Sequence, residues 1–139
     1  PIIILPEDAL IFLICQLGSV KNKLQEFPFS TNRESFFKAI ILFCKTVEVT
    51  MITRQLISQL VRSGTSVGAN YMEANCASSK KDFRNKIYIC KKEAQETKHW
   101  LRMLVKCAPN NEEEIKKLWH EATELTLIFQ KITSTLKEK

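Results

Sequence analysis

The feature that most constrains this chain is an apolar line that advances three and four residues at a time. Near the end it reads Ile115, Leu118, Ala122, Leu125, Phe129, Ile132 and Leu136, with steps of 3, 4, 3, 4, 3 and 4. At helical pitch this spacing stacks every apolar side chain on one side, and the two-residue period of a strand cannot use it. A helix with such a stripe must cover it, and the economical cover is another helix of the same kind. The start of this segment is well marked. Pro109, Asn110 and Asn111 stop what precedes, Asn111 can cap, and Glu112, Glu113 and Glu114 suit the positive end of a helix dipole.

The same pattern recurs upstream. Phe83, Ile87, Cys90, Ala94, Thr97, Leu101, Leu104 and Ala108 step 4, 3, 4, 3, 4, 3 and 4 behind a cap at Ser78 or Ser79. A helix over roughly 79–108 would be ~45 Å long. Leu56, Leu60, Gly64, Val67, Tyr71 and Ala74 form another line, flanked by Ile57 and Val61. Gly64 and Gly68 each cost about 1 kcal/mol in a helix interior relative to Ala. With the small Ser63, Thr65 and Ser66 beside them, they predict a helix that meets a neighbour closely; the alternative is a break near Gly64. Phe37, Ile40, Cys44 and Val47 mark one more helix, with Thr31 and Glu34 spaced as a capping box. The β-branched run Thr46–Thr53 holds the turn to the next helix.

Residues 1–30 read as a separate extension ahead of a bundle at 31–139. In it Leu10, Leu13, Leu17, Val20, Leu24 and Phe27 step 3, 4, 3, 4 and 3. Pro6 suits a first helical position and Pro28 ends the pattern. The spacing predicts an amphipathic helix at roughly 7–26, packed on the bundle or on another subunit. The fold class is thus all-α: an antiparallel four-helix bundle with an extra N-terminal amphipathic helix. The 139 residues suit one domain, and three Gly and four Pro are too few for the turns of a many-stranded sandwich.

Pro6, Glu7 and Asp8 divide the apolar pieces Ile2–Leu5 and Ala9–Leu17, and neither approaches the ~20 residues of a spanning helix. No basic region precedes them, which argues against a signal peptide. The five Cys, at 15, 44, 76, 90 and 107, form no CxxC pair. They read as reduced thiols in a cytoplasmic protein.

Catalytic patterns are scarce. His99 and His120 each sit beside a Trp, a setting more often structural than catalytic. Glu96 and His99 match the ExxH step of di-metal bundles, but there is no second such pair. Glu93 with Glu96, and Glu121 with Glu124, pair carboxylates without a partner motif. The expectation is a protein that is not an enzyme and needs no cofactor and no metal.

Charge gives the functional signal. The chain carries 21 basic and 15 acidic side chains, a net +6. Residues 80–106 alone hold nine basic and three acidic residues, so this stretch accounts for the whole excess. Within it Lys81, Arg84, Tyr88, Lys91, Gln95, Lys98 and Arg102 step 3, 4, 3, 4, 3 and 4, and Lys106 follows four later. These residues share one helix face, about 100° around from the Phe83 line. Cations displace counterions from phosphates and an aromatic can stack on an exposed base. Lys81, Arg84, Tyr88, Lys91, Lys98, Arg102 and Lys106 are therefore candidate nucleic-acid contacts. The competing reading is a solvated helix face with surplus lysines.

RSGTSVGANYMEA at Arg62–Ala74, SKKDF at 79–83, KKEAQET at 91–97 and HWLRML at 99–104 resemble the four-helix-bundle proteins encoded by intervening sequences within bacterial 23S ribosomal RNA genes. The accessory proteins of diversity-generating retroelements look like relatives of that family. The resemblance covers roughly residues 31–139 and leaves out 1–30. It implies an up-down-up-down bundle, assembly into a homopentameric barrel, and no catalysis. The retroelement relatives use a basic surface to bind nucleic acid and a reverse transcriptase. Together the expectation is a cytoplasmic, non-enzymatic oligomer that binds RNA or DNA through the helix at 79–108, as an accessory to a reverse transcriptase or to ribosomal RNA. The alternative is a protein–protein adaptor that touches no nucleic acid.

Overall fold

The computed structural model describes residues 28–137, so the helix expected at 7–26 lies outside the described residues. Four α-helices follow one another: α1 (Pro28–Cys44), α2 (Met51–Asn75), α3 (Lys80–Cys107) and α4 (Glu112–Lys137). A 3₁₀ turn, Pro109–Asn111, leads into α4. Short connections reverse the chain each time. α1 packs on α2, α2 on α3, α3 on α4, and α4 closes back on α1. This is the expected up-down-up-down bundle.

The expected apolar lines are its core. Phe83, Ile87, Cys90, Ala94, Thr97, Leu101 and Leu104 of α3 are all buried. So are Ile115, Leu118, Ala122, Leu125, Phe129 and Ile132 of α4, while Leu136 is half-buried. Leu60, Val67, Tyr71 and Ala74 of α2, Ile40 and Cys44 of α1 and Val47 in the turn after it complete it, while Phe37 and Leu56 of the expected lines are half-buried against it. One polar contact interrupts the hydrocarbon. The hydroxyls of Ser63 and Thr97 meet across α2 and α3 at 3.1 Å. Both also lie within hydrogen-bond reach of a backbone carbonyl of their own helix, Leu60 for Ser63 and Glu93 for Thr97, so neither is stranded.

The helix α2 runs unbroken through Gly64, which settles the alternative of a break there. Both glycines face α1. A Cβ on Gly64 would stand 2.8 Å from Ile40 Cδ1, and one on Gly68 would stand 2.6 Å from Phe37 Cε2. The close neighbour is thus a pair of α1 side chains.

The caps correct one expectation. Thr31 lies inside α1, which begins at Pro28, so Thr31 is not its cap. Proline pre-sets the helical φ and has no N–H to satisfy, which makes Pro28 a natural first residue. The capping box that does form is at α2. The Thr50 hydroxyl accepts from the Thr53 N–H at 3.1 Å, and Thr53 Oγ1 accepts from the Thr50 N–H at 2.7 Å. At α3 the cap is Ser79, whose hydroxyl accepts from the Asp82 N–H at 3.0 Å.

Candidate nucleic-acid interface

Helix α3 has two flanks, and they differ in charge. The flank toward α2 is neutralised. Arg62 of α2 reaches Glu93 at 3.3 Å and also pairs with Glu96. Lys86 of α3 pairs with Glu73 of α2 at 2.5 Å. Arg62 Nε donates to Gln59 on its own helix. These carboxylates hold the Arg62 and Lys86 protons more tightly than usual, chiefly through the Glu96 and Glu73 hydrogen bonds. Two of the three acidic residues of the segment are therefore occupied on this side.

The other flank, toward α4, carries the predicted stripe. Lys81, Gln95, Arg102 and Lys106 are exposed, and Arg84, Tyr88, Lys91 and Lys98 are half-buried. Among the described residues, no carboxylate forms a salt bridge with Lys81, Arg84, Lys91, Lys98, Arg102 or Lys106. Two of the stripe's lysines meet uncharged groups on α4. Lys91 donates to the side-chain oxygen of Gln130, and Gln130 donates in turn to Ser134 at 3.0 Å. Lys98 lies 4.6 Å from the centre of the Trp119 ring, a cation–π distance. Arg84 Nε is shielded from water with no hydrogen-bond partner among the described residues. Such contacts orient the cations without cancelling their charge.

Sequence reasoning put the whole stripe on α3 and missed its border on α4. Gln130, Ser134 and Trp119 belong to the same surface. A signal existed: Trp119 follows the core residue Leu118 by one position, which places it at the edge of the apolar stripe. Both histidines are exposed and stand edge-on to their neighbouring tryptophans, His99 to Trp100 at 4.8 Å and His120 to Trp119 at 5.4 Å. Trp100, Trp119 and Ile128, which lie off the core lines, pack against the core of their own chain. Among the described residues, no three His, Cys, Asp or Glu side chains come together where a metal ion could be held. No helix there is long and apolar enough to cross a membrane.

Comparison with known proteins agrees with this architecture. A crystal structure from Bacteroides thetaiotaomicron, of a protein with unknown function from the S23 ribosomal protein family, is 31% identical. The match covers 76% of this chain and 94% of that one, with a TM-score of 0.65. No curated protein matches the chain. The family model described as 23S rRNA-intervening sequence protein matches residues 32–131, from the middle of the first turns of α1 to the last turns of α4. The chain belongs to the 23S rRNA-intervening sequence protein family.

Proposed function

We propose that this protein binds RNA or DNA, without catalysing a reaction, through the α3 flank that borders α4. The observation that carries this reading is the asymmetry of α3. Glu93 and Glu96 are held by Arg62 on one flank, while on the other Lys91 meets the Gln130 amide, Lys98 meets the Trp119 indole, and no stripe cation forms a salt bridge among the described residues. A row of cations with no carboxylate in salt-bridge contact keeps its charge available to an anionic partner. The row lacks a glycine-rich loop or any cluster of Asn, Gln and Arg side chains suited to base edges. Phosphate contact therefore dominates, and sequence preference is low.

The protein acts as a homo-oligomer, a pentamer by the resemblance to its family, in the cytoplasm. Several copies of the stripe on one particle raise the effective concentration of each for a long strand. A role beside a reverse transcriptase or ribosomal RNA fits such a particle. The test is a fluorescence-anisotropy titration with labelled single-stranded and double-stranded RNA and DNA over a salt series. Binding should weaken linearly in log–log form. Five phosphate contacts on a single strand would give a slope of about −3.5. Binding that is absent at low salt would remove this reading and favour a protein–protein adaptor.

A further inference from the structure

The cations of α3 follow its seam with α4. Lys91 is held by Gln130, and Lys98 lies 4.6 Å from the centre of the Trp119 ring. These two lysines are two helical turns apart, ~10 Å, while their partners run the opposite way along α4. Arg84 lies two turns before Lys91 and Arg102 one turn after Lys98, so the cations form a straight line along the seam. Two packed helices are together about 20 Å across. The major groove of a duplex, ~12 Å wide, admits a single helix. A duplex can therefore reach this line only with the outside of its backbone, which winds away from any straight row. A flexible single strand can lie along the row and turn its bases toward the seam.

Trp119 is the ring those bases meet. It is half-buried and packs on the core, and the face that Lys98 covers is turned toward the row. Its Nε1 is shielded from water with no hydrogen-bond partner among the described residues, so packing and one movable ammonium hold the indole. We propose, resting on the reading of this flank as the binding surface, that the α3/α4 seam selects single-stranded over duplex nucleic acid, with Trp119 as its base-stacking residue. A base takes the place of Lys98 against the indole, and Lys98 turns to a neighbouring phosphate. The exchange is favourable because a ring holds an exposed ammonium only weakly, whereas a base offers a whole π-face. Every base has such a face, so the contact selects for strandedness without reading sequence. Trp100 is placed differently. It lies two turns beyond Glu93, on the flank that Arg62 neutralises.

Fluorescence anisotropy of the full chain with three probes of equal length tests this: a mixed-sequence single-stranded DNA, the corresponding duplex, and a strand of abasic sugar-phosphates. The parent should bind the single strand about tenfold more tightly than the abasic strand, the loss expected for one stacked base. It should also prefer the single strand to the duplex, although charge density alone favours the duplex. Trp119→Leu keeps an apolar side chain against the core without a ring, and its affinity for the single strand should fall to the abasic level. Trp119→Phe should restore most of the difference. In Trp100→Phe, where Trp119 is the remaining indole, the single strand should quench the fluorescence and the abasic strand should not. If Trp119→Leu unfolds, that quenching and the abasic comparison, both made with the ring intact, decide the matter. Equal affinity of the parent for base-bearing and abasic strands, a duplex bound as tightly as the single strand, or an unquenched Trp119 would overturn the proposal while leaving the cationic surface standing. Failure of all three probes to bind at low salt would remove that surface as well.

Discussion

Ile40 of α1 seats its terminal methyl where a side chain on Gly64 of α2 would begin, 2.8 Å from the position of that missing Cβ. Gly64 is buried, and Ile40 is fully buried. The glycine therefore trades helix propensity, about 1 kcal/mol, for the depth to which Ile40 can enter the core. One turn on, Gly68 and Phe37 repeat the arrangement.

Gly64→Leu should destabilise the bundle although leucine is the better helix former. The added side chain meets Ile40 with no free space, and overpacking of this kind costs typically 1–3 kcal/mol. Gly64→Ala should fall between the two, because the clashing atom is the movable end of Ile40. Thermal unfolding followed by circular dichroism measures both. A melting temperature that rises in Gly64→Leu would show that α1 does not press on α2 at this level.

The buried thiol of Cys44 provides a second test. Burial pushes its pKa up to about 11, from an ordinary value near 9. The thiolate is the reactive form, so Cys44 should resist thiol reagents at pH 8 while the exposed Cys76 and Cys107 react. Mass spectrometry of the partly modified protein should find Cys44 unlabelled until denaturant is added. The sign of the linkage follows. Between about pH 9 and pH 11 the unfolded chain releases this proton and the native chain keeps it, so stability falls as pH rises across that window. Cys44→Ala should remove that part of the decline.

The fold was legible because its information is local and repeated. Phe83 to Leu104 and Ile115 to Ile132 declare their helices by spacing alone, and each of those residues is buried as the spacing requires. The start of α1 was misread because Thr31 and Glu34 match a capping-box pattern while Pro28, three residues earlier, competes as the first helical residue. The real box at Thr50 escaped notice because its second member is Thr53 in place of the usual Glu or Gln. At the candidate site, the cations were placed on one face of α3 by their steps. Which flank was neutralised could not be read from the chain. That depends on Arg62 meeting Glu96 and on Lys91 meeting Gln130, residues brought together only by the packing of separate helices.

Arg62 gives a stability prediction with a built-in comparison. Its side chain is 46% exposed, whereas Glu93 is 14% exposed and Glu96 is 39% exposed. Arg62→Ala should cost up to about 1 kcal/mol, the range of a surface pair, because it leaves the more buried Glu93 carboxylate without its partner. Glu96→Gln should cost less, since Arg62 keeps Glu93. Urea unfolding at low and high salt would separate them, with the Arg62→Ala deficit shrinking as salt rises. Equal effects of the two variants would mean that the pair to Glu93 contributes nothing measurable.

The last prediction separates a binding surface from mere net charge. Arg84→Glu/Lys91→Glu and Lys117→Glu/Lys131→Glu change the charge of the chain equally. The first pair lies on the α3 flank beside α4; the second lies on exposed positions of α4. If the stripe holds the strand, the first variant should lose most of its affinity for single-stranded RNA or DNA, and the second should lose little. The salt slope should change in the same way. Two phosphate contacts removed from a single-strand complex reduce its magnitude by about 1.4, and the Lys117/Lys131 variant should keep the parent slope. Helicity and particle mass should stay at parental values in both, because Arg84 and Lys91 form no salt bridge among the described residues. If both variants weaken binding alike, overall charge is the driver and the stripe is a solvated face. If neither weakens it, the strand is held elsewhere on the bundle, and the adaptor reading gains for α3.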